Sequence, residues 1–332
     1  MISEPSVSSF RNKTVLVTGG TGTFGRAFVT TLLGDPAVKK IIVFSRDEFK
    51  QGEMQRELQD THDRLRFFLG DVRDLARLER AFQGVDIVVH AAALKQVPAL
   101  EYNPMEAVKT NIIGTQNVID AALDNNVEKV LLVSSDKAAH PVNLYGATKL
   151  CAEKLCIAAN AYRSQDQRTA LSVLRYGNVL GSRGSLVEII KRQRVAGVIT
   201  LTDERMTRFW VTIERVMEHV MRTLECMRGG EIFVPKMKSL RVVDAMRAIA
   251  PECEIKTIGI RPGEKLHEVL ITEYESHRTY DIGDMFVIRP EFGWSDEKWL
   301  GGALRPASGF MYTSDHRDFL LSSREASVVV EV

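Results

Sequence analysis

Short runs rich in Val and Ile alternate with helix-patterned stretches across residues 1–180, and this alternation narrows the fold more than anything else in the chain. The strand-like runs are Thr14–Thr18, Lys40–Phe44, Leu65–Leu69, Ile87–Ala91, Val130–Ser134 and Leu171–Arg175. Helical patterns cover Gly25–Leu33, Leu75–Phe82, Met105–Asn125 and Ala147–Arg163. Apolar strands without alternation bury both faces, which a parallel sheet between two helical layers provides. The expected fold is therefore α/β, a doubly wound parallel sheet of Rossmann type over residues 1–180. Beyond Asn178 the rhythm weakens, leaving strand signals at Ile199–Thr202 and Glu231–Val234 and a helix at Ile213–Met227. Residues 181–332 are expected to form a smaller C-terminal substrate-binding lobe, with the stretch 205–235 returning to the main domain. The tail beyond Tyr274, which holds Trp294 and Trp299, reads as irregular.

The first strand runs into Gly19-Gly20-Thr21-Gly22-Thr23-Phe24-Gly25 and then a helix. Gly19, Gly22 and Gly25 allow a tight turn and a close backbone approach to a pyrophosphate. The helix start adds N–H donors and the positive end of its dipole. Thr21, Thr23 and Phe24 fill the same loop. The second strand ends in Ser45-Arg46, where an NAD site usually places an acid for the ribose hydroxyls. A guanidinium beside a hydroxyl suits a 2′-phosphate, so NADP is expected. Asp47, one residue on, is the feature that would serve NAD instead. Asp71 and Val72 after the third strand are placed at the adenine edge. Ala91, Ala92 and Ala93 after the fourth let the backbone pass the cofactor.

Tyr145 and Lys149 lie one helical turn apart on one face, and Ser135-Asp136-Lys137 follow the apolar run Val130–Val133. A strand end and a helix so equipped gather several proton-transfer groups at one point. The net charge of +1 gives no electrostatic case for nucleic acid or an anionic membrane. No apolar run nears the ~20 residues of a membrane span. The start, MISEPSVSSFRNK, has no apolar signal core, so a cytoplasmic location is expected. Cys151, Cys156, Cys226 and Cys253 lack metal or disulfide spacing and read as buried free thiols, and the seven histidines share no metal spacing, so no metal is expected.

With these motifs the chain resembles the extended short-chain dehydrogenases/reductases. Within them it is similar to the inverting UDP-N-acetylglucosamine 4,6-dehydratases that open pseudaminic acid synthesis. Retaining 4,6-dehydratases carry Thr-Asp-Glu where this chain has Ser135-Asp136-Lys137. The blocks Arg175–Ser185, Leu201–Trp210, Gly229–Ser239 and Gly259–Glu268 also resemble that family; Glu188 departs from it, standing where a proline is expected. The resemblance implies that Tyr145 is the base at the sugar C4 hydroxyl, helped by Ser135 and by Lys149. It further implies that Lys137 removes the C5 proton and Asp136 protonates the departing C6 hydroxyl. For this Lys137 needs a pKa well below the ordinary ~10.4, which burial and positive neighbours would provide. UDP-N-acetylglucosamine is then the implied substrate. Arg208 and Arg261 are candidates for its diphosphate, Glu264 for the uridine ribose, Asn178 for a phosphate or the sugar, and Lys95 for the sugar beside the cofactor. A homo-oligomer, dimer to hexamer, is also implied. The alternatives are a retaining dehydratase, which should carry an acid at 137, a 4-epimerase, which does not need Asp136-Lys137, and a non-catalytic dinucleotide sensor.

Overall fold

All five residues of Thr14–Thr18 (β1) are buried, as are all seven of Ala170–Tyr176 (β6), which is what a strand covered on both faces requires. The computed structural model that shows this describes residues 10–58, 60, 62–162, 167, 169–182, 184–291, 297–323 and 325. Trp294, Arg163 and Arg183 of the sequence reading lie outside the described residues. Between β1 and β6 run Lys40–Ser45 (β2), Leu65–Leu69 (β3), Ile87–His90 (β4) and Lys129–Ser135 (β5). The intervening helices are Thr23–Leu33 (α1), Glu48–Glu57 (α2), Leu75–Phe82 (α3), Val97–Tyr102 (α4), Pro104–Ala107 (α5), Gly114–Asp124 (α6) and Leu144–Ala158 (α7). Helix α3 shows how the sequence sets these elements. Asp74 caps it by accepting from the Arg77 N–H, and Leu78, Ala81 and Phe82 form the buried face. Helix α2 escaped the sequence reading because it buries only Gln51 and Met54 and so has almost no apolar stripe.

The second half of the chain adds the strands Asn178–Val179 (β7), Val198–Leu201 (β8), Thr207–Val211 (β9), Ile232–Pro235 (β10), Lys238–Arg241 (β11), Glu254–Thr257 (β12), Val269–Ile271 (β13), Thr279–Asp281 (β14), Met285–Ile288 (β15) and Tyr312–Thr313 (β16). Its helices are Leu186–Arg194 (α8), Ile213–Cys226 (α9), Val242–Ile249 (α10) and Glu273–Ser276 (α11). One nine-stranded sheet has the order β14-β15-β10-β6-β5-β4-β1-β2-β3. It is parallel from β3 through β10, and β15 and β14 close it in antiparallel register. The order reverses between β1 and β4, so a crevice opens at their carboxyl ends.

Three expectations need correction. The tail beyond Tyr274 is not irregular, because β14 and β15 complete the main sheet; at three and four residues they are too short for a pattern to show. Of the stretch 205–235, β10 joins that sheet and α9 packs on α1, but β9 pairs with β7 and β11 in a separate sheet. The expected helix Met105–Asn125 is interrupted by a π-helical turn over Val108–Ile113. Outside the main sheet, β8 pairs with β12, and Ile190, Ile199, Leu201, Met206, Val242 and Met246 pack a second small core. Met206, Phe209 and Trp210 are buried packing residues.

Candidate active site

The crevice is a cleft of about 670 Å³ running along the carboxyl ends of the sheet. Its floor depends on two glycines that no other residue could replace without movement. Gly19 has φ +67°, and a Cβ there would sit 2.9 Å from the Ala92 backbone. A Cβ on Gly25, beneath the loop, would sit 2.4 Å from the Gly20 Cα. The β1 and β4 turns are tied together by the Thr18 hydroxyl, which bonds the His90 Nδ1 (2.7 Å) and accepts from the Ala91 and Ala92 N–H groups (3.2 Å each). Gly22 is the N-cap of α1 and supplies no side-chain acceptor, so the first-turn N–H groups face the cleft beside Thr21, Thr23 and Phe24.

At the end of β2 the Asp47 carboxylate caps α2, accepting from the Lys50 N–H (3.0 Å), and pairs with Lys50 Nζ (2.6 Å). Arg46 stands exposed on the cleft wall, 3.7 Å from Asp71. Ser45 is buried, its hydroxyl accepting from Gln51 Nε2. Burial alone would raise the Asp71 carboxyl, but hydrogen bonds and charge from Arg73, with Arg46 beyond, hold it below the usual range. Val72, Ala91, Ala92 and Ala93 line the cleft between these ends.

The catalytic segment begins where β5 ends. Ser135 opens a single 3₁₀ turn, Asp136–Ala138, by accepting from the Lys137 N–H, and its hydroxyl donates to Asp136 Oδ1 (2.8 Å). The Lys137 ammonium has three donors and faces three oxygens: Asp136 Oδ1 at 2.9 Å, Glu268 Oε1 at 3.4 Å and Asn178 Oδ1 at 3.4 Å. Helix α7 lies directly on this turn, since a Cβ on Gly146 would meet the Lys137 carbonyl at 2.3 Å. That contact brings Tyr145 beside Ser135 and Lys137 on the cleft wall. Lys149 Nζ donates to the Val133 carbonyl (2.5 Å); burial, opposed by Glu153 and Cys156, brings it down to about 8.

The protonation of these groups departs from expectation. Burial alone would lower Lys137, but the Asp136 and Glu268 carboxylates outweigh it and hold the ammonium above the ordinary lysine value. The expectation of a depressed Lys137 counted its positive neighbours and missed Glu268. Asp136, fully buried, is raised by burial, with the Glu268 charge pushing the same way against Lys137. Tyr145 is likewise raised by burial; the Lys137 charge and a Ser135 hydrogen bond oppose the rise, and Asp136 adds to it.

The substrate candidates divide. Lys95 and Asn178 line the cleft, and Lys95 is lowered by burial and by the Lys137 charge. Arg208 does not line it: its guanidinium donates to the carbonyls of Thr207, Lys265 and Leu266 and faces Glu268 at 3.6 Å, so it braces the loop from beneath. Arg261 is exposed on its turn and Glu264 is half-buried, both outside the cleft wall. That turn is clasped to the catalytic segment. Asn143, the N-cap of α7, donates to the Gly263 carbonyl (2.8 Å), and Lys265 Nζ donates to the Ala139 carbonyl (2.7 Å). Cys151 is exposed rather than buried, because it sits on the outer face of α7; Cys156 is buried and both are free thiols. No group of three or more metal-ligating side chains forms among the described residues. Among them, no helix is long and apolar enough to cross a membrane.

Residues 15–290 match the family described as polysaccharide biosynthesis protein. The chain belongs to that family. It is 46% identical over 330 residues to a UDP-N-acetylglucosamine 4,6-dehydratase (inverting) of Campylobacter jejuni, covering 97% of this chain and 98% of the relative. It is 40% identical over 287 residues to a UDP-glucose 4-epimerase of Rickettsia canadensis, covering 84% and 83% of the two chains. Among solved structures, Pen from Bacillus thuringiensis superposes with a TM-score of 0.88 at 37% identity, covering 97% of this chain and 98% of that one. The fold is that of the extended short-chain dehydrogenases/reductases.

Within this family member, the sequence reading overlooked three residues that build the site. Asn111, in the π-helical turn, accepts from the Leu94 N–H and donates to the Leu94 carbonyl and to Thr148 on α7, tying the loop after β4 to the catalytic helix. Gly146 allows the close contact of α7 with the 3₁₀ turn. Glu268 closes the charge cluster. Only Gly146, between Tyr145 and Lys149, carried a signal that could have been read; the other two act through chain-distant contacts.

Proposed function

We propose that this protein is an NADP-dependent UDP-N-acetylglucosamine 4,6-dehydratase that inverts C5. The carrying observation is the Asp136–Lys137 pair, an acid and an amine in contact, set against Tyr145 by the Gly146 contact. The cleft suits a dinucleotide: Gly19 and Gly25 let the loop pack against the Ala92 and Gly20 backbones with no room for a Cβ, and the α1 N-terminus has no side-chain cap. Gly22, Thr23 and Phe24 would hold the pyrophosphate, Asp71 and Val72 the adenine, and Lys149 the nicotinamide ribose. NADP is favoured because the Asp47 carboxylate is committed to capping α2, while Arg46 is open to a 2′-phosphate. When bound, the nicotinamide supplies the acceptor for the hydride leaving C4 and its donor to C6.

The residues then divide the proton transfers. Tyr145, held by Ser135, takes the C4 hydroxyl proton as the ketone forms. The ketone acidifies C5. Lys137 and Asp136 share one proton, and its passage from Nζ to the buried carboxylate gives a neutral amine and a carboxylic acid. The amine removes the C5 proton, the acid protonates the departing C6 hydroxyl, and water leaves. Return of a proton to C5 from the opposite face gives the L-arabino 4-keto-6-deoxy sugar. Lys95 and Asn178 contact the sugar, and Arg261 and Glu264, on the turn clasped to the catalytic segment, are assigned to the UDP. We also infer a cytoplasmic homo-oligomer whose product enters pseudaminic acid-type sugar synthesis.

The test is proton NMR of the protein with UDP-N-acetylglucosamine in D₂O. A C6 methyl signal that is a doublet with L-arabino couplings in H₂O and collapses to a singlet in D₂O, as deuterium enters C5, supports the reading, and Lys137→Ala should abolish the C5 deuterium. D-xylo couplings from the outset refute inversion, and no methyl signal with NADP⁺ present refutes the dehydratase. The second reading, a 4-epimerase, draws on the Rickettsia relative; it leaves the Asp136–Lys137 contact without a task.

A further inference from the structure

Glu268 is 3% exposed, yet it faces three cations on three different segments. Its Oε1 lies 3.4 Å from Lys137 Nζ, on the 3₁₀ turn, and 3.6 Å from Arg208 Nε, on β9; its Oε2 lies 3.5 Å from Lys265 Nζ. Its backbone is pinned as well. The Glu268 N–H donates to the Ser314 hydroxyl (2.8 Å) and its carbonyl accepts from the Ser314 N–H (2.9 Å). The Ser314 hydroxyl bonds Thr207, which in turn bonds His267 Nδ1, with Asp315 3.9 Å from that ring. The backbone that carries the carboxylate is therefore fixed beside the 3₁₀ turn.

We propose that Glu268 is the positioning residue of the dehydratase: it fixes the Lys137 amine between two carboxylates at the cleft wall and governs how many protons the Asp136–Lys137 pair carries. This rests on the dehydratase reading. The geometry explains why one carboxylate would not suffice. Asp136 alone would leave Nζ free to rotate on its four-carbon stem, whereas Asp136, Glu268 and Asn178 engage all three of its donors. Electrostatics follow from the same placement. The groups facing Glu268 are Lys137 and Asp136 on the turn after β5, Arg208 on β9 and Lys265 on its own loop. Its negative charge disfavours a second negative charge on Asp136, so Asp136 keeps its proton to higher pH. Below the Asp136 midpoint the pair holds two protons and Lys137 cannot act as a base; above it, the pair holds the single proton that elimination needs. The acid limb of the rate profile is therefore set in part by Glu268.

The experiment compares wild type with Glu268→Gln, which keeps the shape and an acceptor oxygen but removes the charge. Removing that charge lowers the Asp136 midpoint, so the acid limb of kcat moves to lower pH by about one unit or more. The KM for UDP-N-acetylglucosamine changes by less than about threefold. The same midpoint is read without turnover from the Asp136 ¹³Cγ resonance of [¹³C]aspartate-labelled protein, assigned by its loss in Asp136→Asn. Glu268→Asp, which sets the charge back by one methylene, moves both readouts the same way by less, so either folded variant decides. Superimposable pH profiles and Cγ titrations overturn the proposal. A wild type that forms no methyl product refutes the dehydratase reading instead, and the Cγ titration still decides the role of Glu268.

Discussion

Replacing Arg175 with Met tests whether α7 is held in place by a buried charge. Arg175, on β6, is 1% exposed. Its guanidinium donates to Glu153 on α7 (2.6 and 3.0 Å), to Glu275 on α11 (3.0 and 3.1 Å) and to the Leu270 carbonyl (2.8 Å). Glu153 also accepts from Ser134, next to the catalytic turn. Methionine fills similar space but leaves two carboxylates buried without their cation, a change worth about 3–5 kcal/mol. Linkage gives a similar figure from one partner. Burial alone would raise the Glu275 carboxyl, yet Arg175 holds it at about 2 against an ordinary 4.5, which corresponds to about 3 kcal/mol at neutral pH. For this depressed group the stability is present above the unfolded pKa and is lost as pH falls from about 5 toward 2. In Arg175→Met the same carboxyl is raised, so its contribution is present at low pH and lost as pH rises. The variant should therefore melt about 4–7 °C below wild type at pH 7.5, with the gap narrowing by about half at pH 4.5. Thermal unfolding followed by circular dichroism at both pH values measures this. A gap under about 2 °C at pH 7.5, or one that widens on acidification, refutes the reasoning.

Gly25→Ala should push α1 off the β1 turn, because its Cβ would lie 2.4 Å from the Gly20 Cα; NADP affinity by calorimetry should fall at least about tenfold, with a stability loss of about 1–3 kcal/mol. Arg46→Ala should weaken NADP binding by about tenfold and leave NAD binding within about twofold, and equal losses for both would remove Arg46 from the 2′-phosphate site.

The sheet was legible in the sequence wherever strands are long and buried on both faces, as β1, β5 and β6 are. The glycine turn was legible because tight geometry leaves one residue type. Strands β14 and β15 were not, since so few residues show no period. The π turn was hidden because the bonds it makes, from Asn111 to Leu94, are tertiary. In the site, Tyr145, Lys149, Asp136 and Lys137 were readable because they sit on two neighbouring elements. Arg208 was misjudged because an arginine reads alike whether it meets a phosphate or three backbone carbonyls. Glu268 could not be found from charge pattern, because its partners come from three segments.

The antiparallel closure of the sheet also bears on how the chain is made. When a ribosome has released residues up to Tyr176, six strands have emerged and can pair in parallel, but β6 still presents an open edge of seven buried residues. The strand that covers it, β10, lies more than fifty residues further on, and β15 and β14 come later still. Until then that edge is a template for another nascent chain. Synthesis thus creates an interval of vulnerability that ends only when Met285–Ile288 leaves the exit tunnel, and a stall within it should yield aggregated rather than half-active protein.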